Sequence, residues 1–164
     1  MTEFTHLDDQ GRVRMVDVAA KDVTHRVAVA RGRIDMTADT LDRIFGQNVK
    51  KGNVLEAARI AGVMAAKKTA DLIPMCHPLN LTHVRVDFSP DPEHGGIEIE
   101  AEASLAGRTG VEMEALTAVS VAALTIYDMC KSYDKGMTIS DIHLKLKTGG
   151  KSGTFVANRY DDHP

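Results

Sequence analysis

The longest apolar stretch of the chain predicts a helix that is packed on all sides. It runs from about Gly107 to Lys131, and Thr109 and Glu112 have the Thr-x-x-Glu spacing of a capping box at its start. Apolar residues then occupy every side of a helical wheel, which favours burial all round instead of along one stripe. These residues are Ala115, Leu116, Ala118, Val119, Val121, Ala122, Ala123, Leu124, Ile126 and Met129.

Two charges interrupt this apolar pattern near the end of the predicted helix. Asp128 and Lys131 are three residues apart, so their side chains lie on one face and can interact. Desolvating either charge alone is costly. Two interpretations stay open: a half-exposed ion pair at the helix end, or a catalytic acid and base.

Alternation of apolar and polar residues predicts β-strands on both sides of this helix. Residues 23–34 form the first strand, with one solvent-exposed face that carries Arg31 and Arg33. Residues 84–88 and 97–105 alternate in the same way around a turn that contains Gly and Pro, which predicts an antiparallel hairpin. Three glutamates share one face of its second strand and are interpreted as a solvated surface: Glu98, Glu100 and Glu102.

The last predicted strand leads into a glycine-rich turn. Residues 137–147 alternate, and a change of phase at residues 140–141 indicates a bulge. The turn at residues 149–153 contains Gly-Lys-Ser, but a phosphate loop needs Gly where Lys145 stands and a helix afterwards. The segment is therefore either a flexible turn that presents Lys151 to phosphate oxygens or a solvated basic tail.

Two further helices are predicted between the first strand and the hairpin. The first is short and spans residues 37–46. The second spans residues 54–68, is rich in small residues, and has Asn53 and Glu56 at the spacing of a cap. Lys51 precedes this helix N-terminus, where anions bind.

The order of elements predicts an α+β fold. Strand, helix, helix, strand, strand, helix, strand is the βαββαβ order of the ferredoxin-like sandwich if the first helix is an insertion after the first strand. We expect one antiparallel sheet with helices on one face, in a single domain over residues 1–164. Residues 1–20 are expected to form a mobile arm and residues 154–164 a flexible tail. The other sheet face and the apolar helix need more cover than one chain supplies, which predicts a homo-oligomer.

Composition narrows the class of protein. The 164 residues are 43% hydrophobic, and a net charge of −3 argues against general affinity for nucleic acid or anionic membranes. The N-terminus lacks a signal-peptide pattern and no apolar run approaches the roughly 20 residues that span a bilayer, so we predict a cytoplasmic protein. Cys76 and Cys130 provide neither a disulfide framework nor a CxxC pair, and we predict no metal site.

A loop restricted by two prolines presents Met75, Cys76 and His77. Adjacent Cys and His are compatible with a thiolate nucleophile or a metal site, but neighbours on an extended segment point to opposite sides. We therefore interpret His77 as a ligand or proton donor and Cys76 as packing; a purely structural His77 is the alternative.

Four lysines from different segments are candidates for binding a polyphosphate: Lys51, Lys131, Lys147 and Lys151. Each lies near a helix terminus or a glycine turn. Because a lysine crowded by other cations loses its proton more easily, one of them is also a candidate general acid or base. Asp128 could keep Lys131 protonated or accept a proton itself.

Five segments carry a resemblance to a known family: residues 52–62, 71–78, 107–117, 126–131 and 149–153. They resemble the MoaC family, the cyclic pyranopterin monophosphate synthases of molybdenum-cofactor biosynthesis, from about Thr5 to Gly153. The resemblance implies a lyase that converts (8S)-3′,8-cyclo-7,8-dihydroguanosine 5′-triphosphate into cyclic pyranopterin monophosphate and pyrophosphate. It also implies a ferredoxin-like subunit in a hexamer, a trimer of dimers, with sites at the dimer interface. No cofactor is expected beyond Mg²⁺ that accompanies the phosphates.

The same resemblance implies roles for individual residues. Asp128 matches the family's active-site residue, and Lys51 and Lys131 match its catalytic lysines. The substrate-contacting segments match Met75, Cys76, His77, Met113 and Glu114, and the implied triphosphate contacts are Arg26, Lys67, Lys147 and Lys151. The chain departs from the commonest pattern at Asn53, Met75 and Arg108. A non-catalytic protein that binds a pterin or a nucleotide phosphate is the alternative function.

Overall fold

The computed structural model describes residues 10–157 as four helices and five strands. The strands are β1 (Thr24–Asp35), β2 (His83–Asp91), β3 (Gly96–Gly107), β4 (Thr138–Thr148) and β5 (Phe155–Val156). The helices are α1 (Ala38–Phe45), α2 (Val54–Ala66), α3 (Thr69–Leu72) and α4 (Glu112–Cys130).

The strands form one antiparallel sheet in the order β2-β3-β1-β4-β5. With β5 set aside, this order and the positions of α2 and α4 along the chain give the ferredoxin-like arrangement. The predicted α+β fold, the hairpin and the helix inserted after β1 are confirmed. The single turn α3 and the strand β5 were not predicted; β5 lies at the start of the predicted tail. Residues 1–9 of the predicted arm and 158–164 of the tail lie outside the described residues.

Small side chains on β1 allow α4 to lie close to the sheet. Ala28, Ala30 and Ile34 face the helices and are fully buried. A Cβ atom on Gly32, between them, would lie 2.6 Å from Val119 Cγ1 on α4. The helix layer therefore depends on this position having no side chain.

Helix α2 covers α4 in an antiparallel direction, again through small residues. A Cβ on Gly62 would lie 3.0 Å from the carbonyl oxygen of Ala118 and 3.5 Å from Ala122 Cβ. The sheet and α2 bury two sides of α4, but the predicted packing on all sides is incomplete in the single chain, where 57% of Leu124 is exposed. Helix α4, with 19 residues, is long and apolar enough to cross a bilayer by length and composition. No apolar run of that length was expected from the sequence. Burial within the protein accounts for that composition.

The sheet face away from the helices carries a network of ion pairs. Glu100 Oε2 lies 2.9 Å from Arg31 Nε and 3.3 Å from Lys145 Nζ, and Arg85 approaches both Glu100 and Glu102. The glutamates that the sequence suggested to be simply solvated are therefore paired with cations from the neighbouring strands.

The predicted start of α4 is wrong, whereas that of α2 is correct. Asn53 Oδ1 accepts a hydrogen bond from the Glu56 backbone at 3.1 Å, so this cap forms. Helix α4 begins at Glu112 after Val111, whose side chain has no polar atom. The Glu112 carboxylate accepts a hydrogen bond from Lys147 instead.

The bulge predicted in β4 is confirmed. Its register against β1 shifts between Arg31 and Arg33, where Asp141 has a φ of 53°. A second irregularity, between Val29 and Ala30, turns Lys145 toward the open sheet face. Lys147 consequently lies on the helix side of the sheet, where it reaches α4.

Candidate active site

Lys51, Asp128 and Lys131 form a cluster at the C-terminal end of α4. Lys131 Nζ lies 2.6 Å from Asp128 Oδ1, and Lys51 Nζ lies 3.4 Å from Asp128 Oδ2. Lys51 also donates a hydrogen bond to the backbone carbonyl of Asp128 at 2.7 Å. The side chains stay open to solvent, with 47% of Lys51, 61% of Asp128 and 53% of Lys131 exposed. One chain thus holds a half-exposed ion pair joined by a second lysine.

The charges of this cluster are fixed by mutual hydrogen bonding. The hydrogen bond from Lys131, together with the charges of Lys131 and Lys51, holds the pKa of Asp128 below its usual range. The same hydrogen bond raises the pKa of Lys131. At neutral pH Asp128 is therefore ionised and Lys131 protonated, an arrangement that suits Lys131 to stabilise negative charge.

A cavity of about 420 Å³ lies at the other end of α4 and brings the predicted substrate-contacting residues together: Met75, Cys76, His77, Met113 and Glu114. Cys76 and His77 both line this cavity. The chain turns just before them, because the carbonyl of Ile73 accepts a hydrogen bond from the Cys76 backbone at 3.1 Å.

Glu114 is the buried titratable group of this cavity. Only 3% of the residue is exposed, and this burial, with the nearby charge of Glu112, raises the pKa of Glu114 to about 7. Near neutral pH it exists both as a carboxylic acid and as a carboxylate, so it can donate or accept a hydrogen bond to a polar ligand.

The two thiols are poor candidates for nucleophiles. Burial and the charge of Glu114 raise the pKa of Cys76, and burial raises the pKa of Cys130 to about 11. Both remain protonated at neutral pH, whereas nucleophilic catalysis needs the thiolate. The packing interpretation of Cys76 gains this support, although its side chain also lines the cavity.

A second cavity, of about 450 Å³, lies next to the first and has three basic residues and Asp22 in its lining. It is lined by Lys21, Arg26 and Lys151, and Lys21 lines the first cavity as well. Gly150 has a φ of 75°, and a Cβ there would overlap with the guanidinium of Arg26. The glycine turn can therefore close against Arg26, which itself donates to the backbone carbonyls of Gly107 and Arg108 at 3.3 and 3.2 Å.

Lys147 and Lys67 complete the basic end of the molecule. Lys147 Nζ donates to Glu112 Oε1 at 2.9 Å, beside the two cavities. Lys67 is exposed after the last residue of α2. Because α2 runs antiparallel to α4, this places Lys67 on the side of the cavities and not of Asp128.

The predicted site residues thus form two groups separated by the length of α4. At 1.5 Å per residue, Met113 and Asp128 are roughly 22 Å apart along the helix axis. The four lysines predicted to share one ligand do not converge within one chain: Lys51 and Lys131 lie at one end, and Lys147 and Lys151 at the other.

Comparison with known proteins identifies the family. The sequence profile of the MoaC family matches residues 15–150. The chain belongs to the MoaC family. The match includes both residue groups described above, apart from Lys151.

Relatives in this family match the chain over nearly its whole length. It is similar to a cyclic pyranopterin monophosphate synthase of Desulforapulum autotrophicum, with 90% identity over 164 residues and complete coverage of both chains. The enzyme of the same name from Desulfatibacillum aliphaticivorans is 67% identical over 95% of this chain and 98% of its own. That of Desulfitobacterium hafniense is 59% identical over 98% and 96%.

Two residues that line the cavities, Glu112 and Lys21, were not predicted as site residues. Glu112 was assigned to a helix cap, and Lys21 lies just after the segment interpreted as a mobile arm. No short motif marks Lys21, and the spacing of Thr109 and Glu112 favours a cap, so no local signal points to the contact of Glu112 with Lys147. Within residues 10–157, no group of three or more His, Cys, Asp or Glu side chains is placed to hold a metal ion.

Proposed function

We propose that the chain is a cyclic pyranopterin monophosphate synthase. It converts (8S)-3′,8-cyclo-7,8-dihydroguanosine 5′-triphosphate into cyclic pyranopterin monophosphate with release of pyrophosphate, an early step of molybdenum-cofactor biosynthesis. The observation that carries this function is the family likeness over the whole length, with relatives named for this activity. The cavities supply matching chemistry, since a buried carboxyl group adjoins a row of cations.

The two cavities suit the two halves of such a substrate. Glu114 and His77 offer hydrogen-bonding groups in the first cavity, appropriate for the edge of a purine-derived ring. Arg26, Lys147 and Lys151 offer positive charge for the triphosphate. Lys67 is proposed to contact the triphosphate as well, at the edge of the cavities.

Asp128, Lys131 and Lys51 are proposed as the catalytic group. Asp128 holds the ammonium group of Lys131 at 2.6 Å, so we assign Lys131 the role of electrostatic stabiliser. Asp128 thereby orients Lys131, and Lys51 supplies a second cation at the same carboxylate. All three are open to an approaching ligand.

The active site is proposed to form between two chains. Catalytic and binding groups roughly 22 Å apart on one helix cannot meet one substrate. They meet if two copies of α4 pack antiparallel around a two-fold axis near Ser120 and Val121, halfway between Met113 and Asp128. Each dimer then contains two equivalent sites.

The outer face of the helix layer fits such a contact. Leu124 on α4 and Ile60 and Met64 on α2 are large apolar side chains more than half exposed in the single chain. Exposed groups of this kind mark association surfaces. Three such dimers would build the proposed hexamer.

The remaining expectations follow from this assignment. The enzyme acts without a resident cofactor, and any Mg²⁺ enters with the phosphates. We place it in the cytoplasm, with no nucleic acid or membrane partner.

The proposal is tested by incubating the purified full-length protein with the cyclised nucleotide. We expect pyrophosphate and cyclic pyranopterin monophosphate in equal amounts. Absence of both products while the substrate stays intact would reject the lyase. Tight binding of the nucleotide without product would favour the alternative, a protein that binds pterin or nucleotide phosphate without catalysis.

A further inference from the structure

Glu112 and Lys147 form an ion pair between the two cavities. Lys147 Nζ lies 2.9 Å from Glu112 Oε1, and the side chains are only 31% and 27% exposed. Glu112 lines the cavity that contains His77 and Glu114, and also a small pocket that contains Arg26 and Lys147. The pair therefore borders the first cavity and lies beside Arg26, which lines the second.

Gly110 makes room for this arrangement. A Cβ at Gly110 would overlap with the carboxylate of Glu112, whose Cδ atom lies 2.6 Å from that position. The carboxylate thus occupies the space of the missing side chain, folded back over the loop before α4. A residue with a side chain at this position would displace it from Lys147.

We propose that Glu112 is a positioning residue that holds the ammonium group of Lys147 between the two cavities, with Gly110 providing the space for its carboxylate. That Lys147 there meets the substrate's phosphates rests on the proposed function. A lysine side chain is long and flexible, and ordering it when a ligand binds costs conformational entropy. Glu112 orders it beforehand, so Lys147 is already in place when the ligand arrives.

The competing view is an ion pair that merely fastens β4 to α4. Such a pair affects stability but has no reason to change the affinity for a ligand. The two views therefore differ in KM, whereas the reactivity of the Lys147 amine tests whether Glu112 holds this amine in solution.

The first test measures how fast the Lys147 amine is acetylated by an N-hydroxysuccinimide ester in the intact protein, followed by peptide mass spectrometry. Glu112→Gln keeps the shape and removes the charge, whereas Gly110→Ala keeps the charge and displaces it. We expect several-fold faster acetylation of Lys147 in both variants, with the rate at Lys145 unchanged. Glu100→Gln is the matched control, because Glu100 pairs with Lys145 on the opposite sheet face, and it should affect Lys145 alone.

Unchanged acetylation of Lys147 in Glu112→Gln overturns the positioning role. If Gly110→Ala does not fold, as its circular dichroism would reveal, Glu112→Gln alone decides. This measurement needs no turnover, so its failure is distinguishable from failure of the proposed lyase, which is judged by product formation in the unmodified protein.

The second test measures steady-state kinetics with the cyclised nucleotide. Removing a charged contact to the phosphates in Lys147→Ala should raise KM about tenfold with a smaller change in kcat. Glu112→Gln should raise KM in the same direction, and the double variant should be no worse than Lys147→Ala alone. An unchanged KM in Glu112→Gln, or additive losses in the double variant, would contradict the proposal.

Discussion

Lys51 Nζ donates a hydrogen bond to the backbone carbonyl of Asp128 at 2.7 Å, although the two residues are 77 positions apart in the sequence. The last carbonyls of a helix lack partners within the helix and carry partial negative charge, so a cation is favourable there. Lys51 lies in the loop before α2, and its side chain caps the C-terminal end of α4. The contact holds Lys51 beside Asp128, the carboxylate that we propose to be catalytic.

Asp128→Asn and Lys131→Ala should abolish turnover while the fold survives. In the single chain these side chains are exposed, and exposed ion pairs contribute little to stability. Loss of Asp128's charge removes the carboxylate that holds the Lys131 ammonium group in place at 2.6 Å. Product formation and melting temperature should be measured together; full activity in either variant would remove that residue from the mechanism.

Glu114 should make the protein less stable as the pH rises. The pKa of Glu114 is about 7 in the folded protein, against 4.5 for an ordinary glutamate. Between these values the folded state keeps a proton that the unfolded chain has lost, so stability falls from pH 4.5 to 7 and stays lower above it. The full effect is on the order of 3 kcal/mol.

The comparison is therefore between melting temperatures at pH 5 and pH 8. Glu114→Gln should show a smaller decrease than the unmodified protein, since the histidines contribute alike to both. Asp91 and Asp128, whose pKa values are lowered, lose their contribution only at more acidic pH. Equal decreases in both proteins would show that Glu114 is not titrating in this range.

Gly32→Ala should destabilise the fold. The new methyl group would lie 2.6 Å from Val119 Cγ1 and 3.0 Å from Ile142 Cγ1, so α4 or the sheet has to move. Overpacking of this kind costs about 1–3 kcal/mol, measurable by urea denaturation. Gly136→Ala is the control, because its nearest neighbour, Asp134 Oδ1, is 3.4 Å away. Equal urea midpoints for Gly32→Ala and Gly136→Ala would contradict the close packing of α4 against β1.

Leu124→Glu should dissociate the assembly and remove activity without unfolding the chain. In the single chain 57% of Leu124 is exposed, so its loss exposes no core. A charge in an apolar contact between chains is costly to desolvate. Sedimentation velocity should show smaller particles, whereas Phe45→Glu on α1, outside the α2–α4 face, should leave the assembly intact. An unchanged assembly in Leu124→Glu would place the interface elsewhere.

Patterning within a segment predicted the elements of this fold well. Alternation identified β1 to β4 and the bulge at residues 140–141, because each depends on neighbours in sequence, whereas the two residues of β5 are too few to show alternation. The start of α4 was missed for the opposite reason: Glu112 has the spacing of a capping box, but Lys147 on β4 competes for its carboxylate. A tertiary contact of this kind leaves no trace in local spacing.

The site was predictable residue by residue but not in its geometry. Motifs marked Asp128, Lys131 and Glu114, and the predicted helix already places the first two at one end and the third at the other. Which end the lysines of the other segments reach is determined by the packing of β4 and α2 against α4, and local patterns do not contain that information.

Because each chain carries both halves of the proposed site on opposite ends of one helix, two different inactive proteins should rescue each other. Mixing and reassembling Lys131→Ala chains with Glu114→Ala chains gives mixed dimers in which one site combines both defects and the other has neither. Such mixtures should regain up to about a quarter of the unmodified activity, since half of the dimers are mixed at random pairing and each has one intact site. Sites contained within single chains would show no complementation, and activity would stay at the level of the inactive parents.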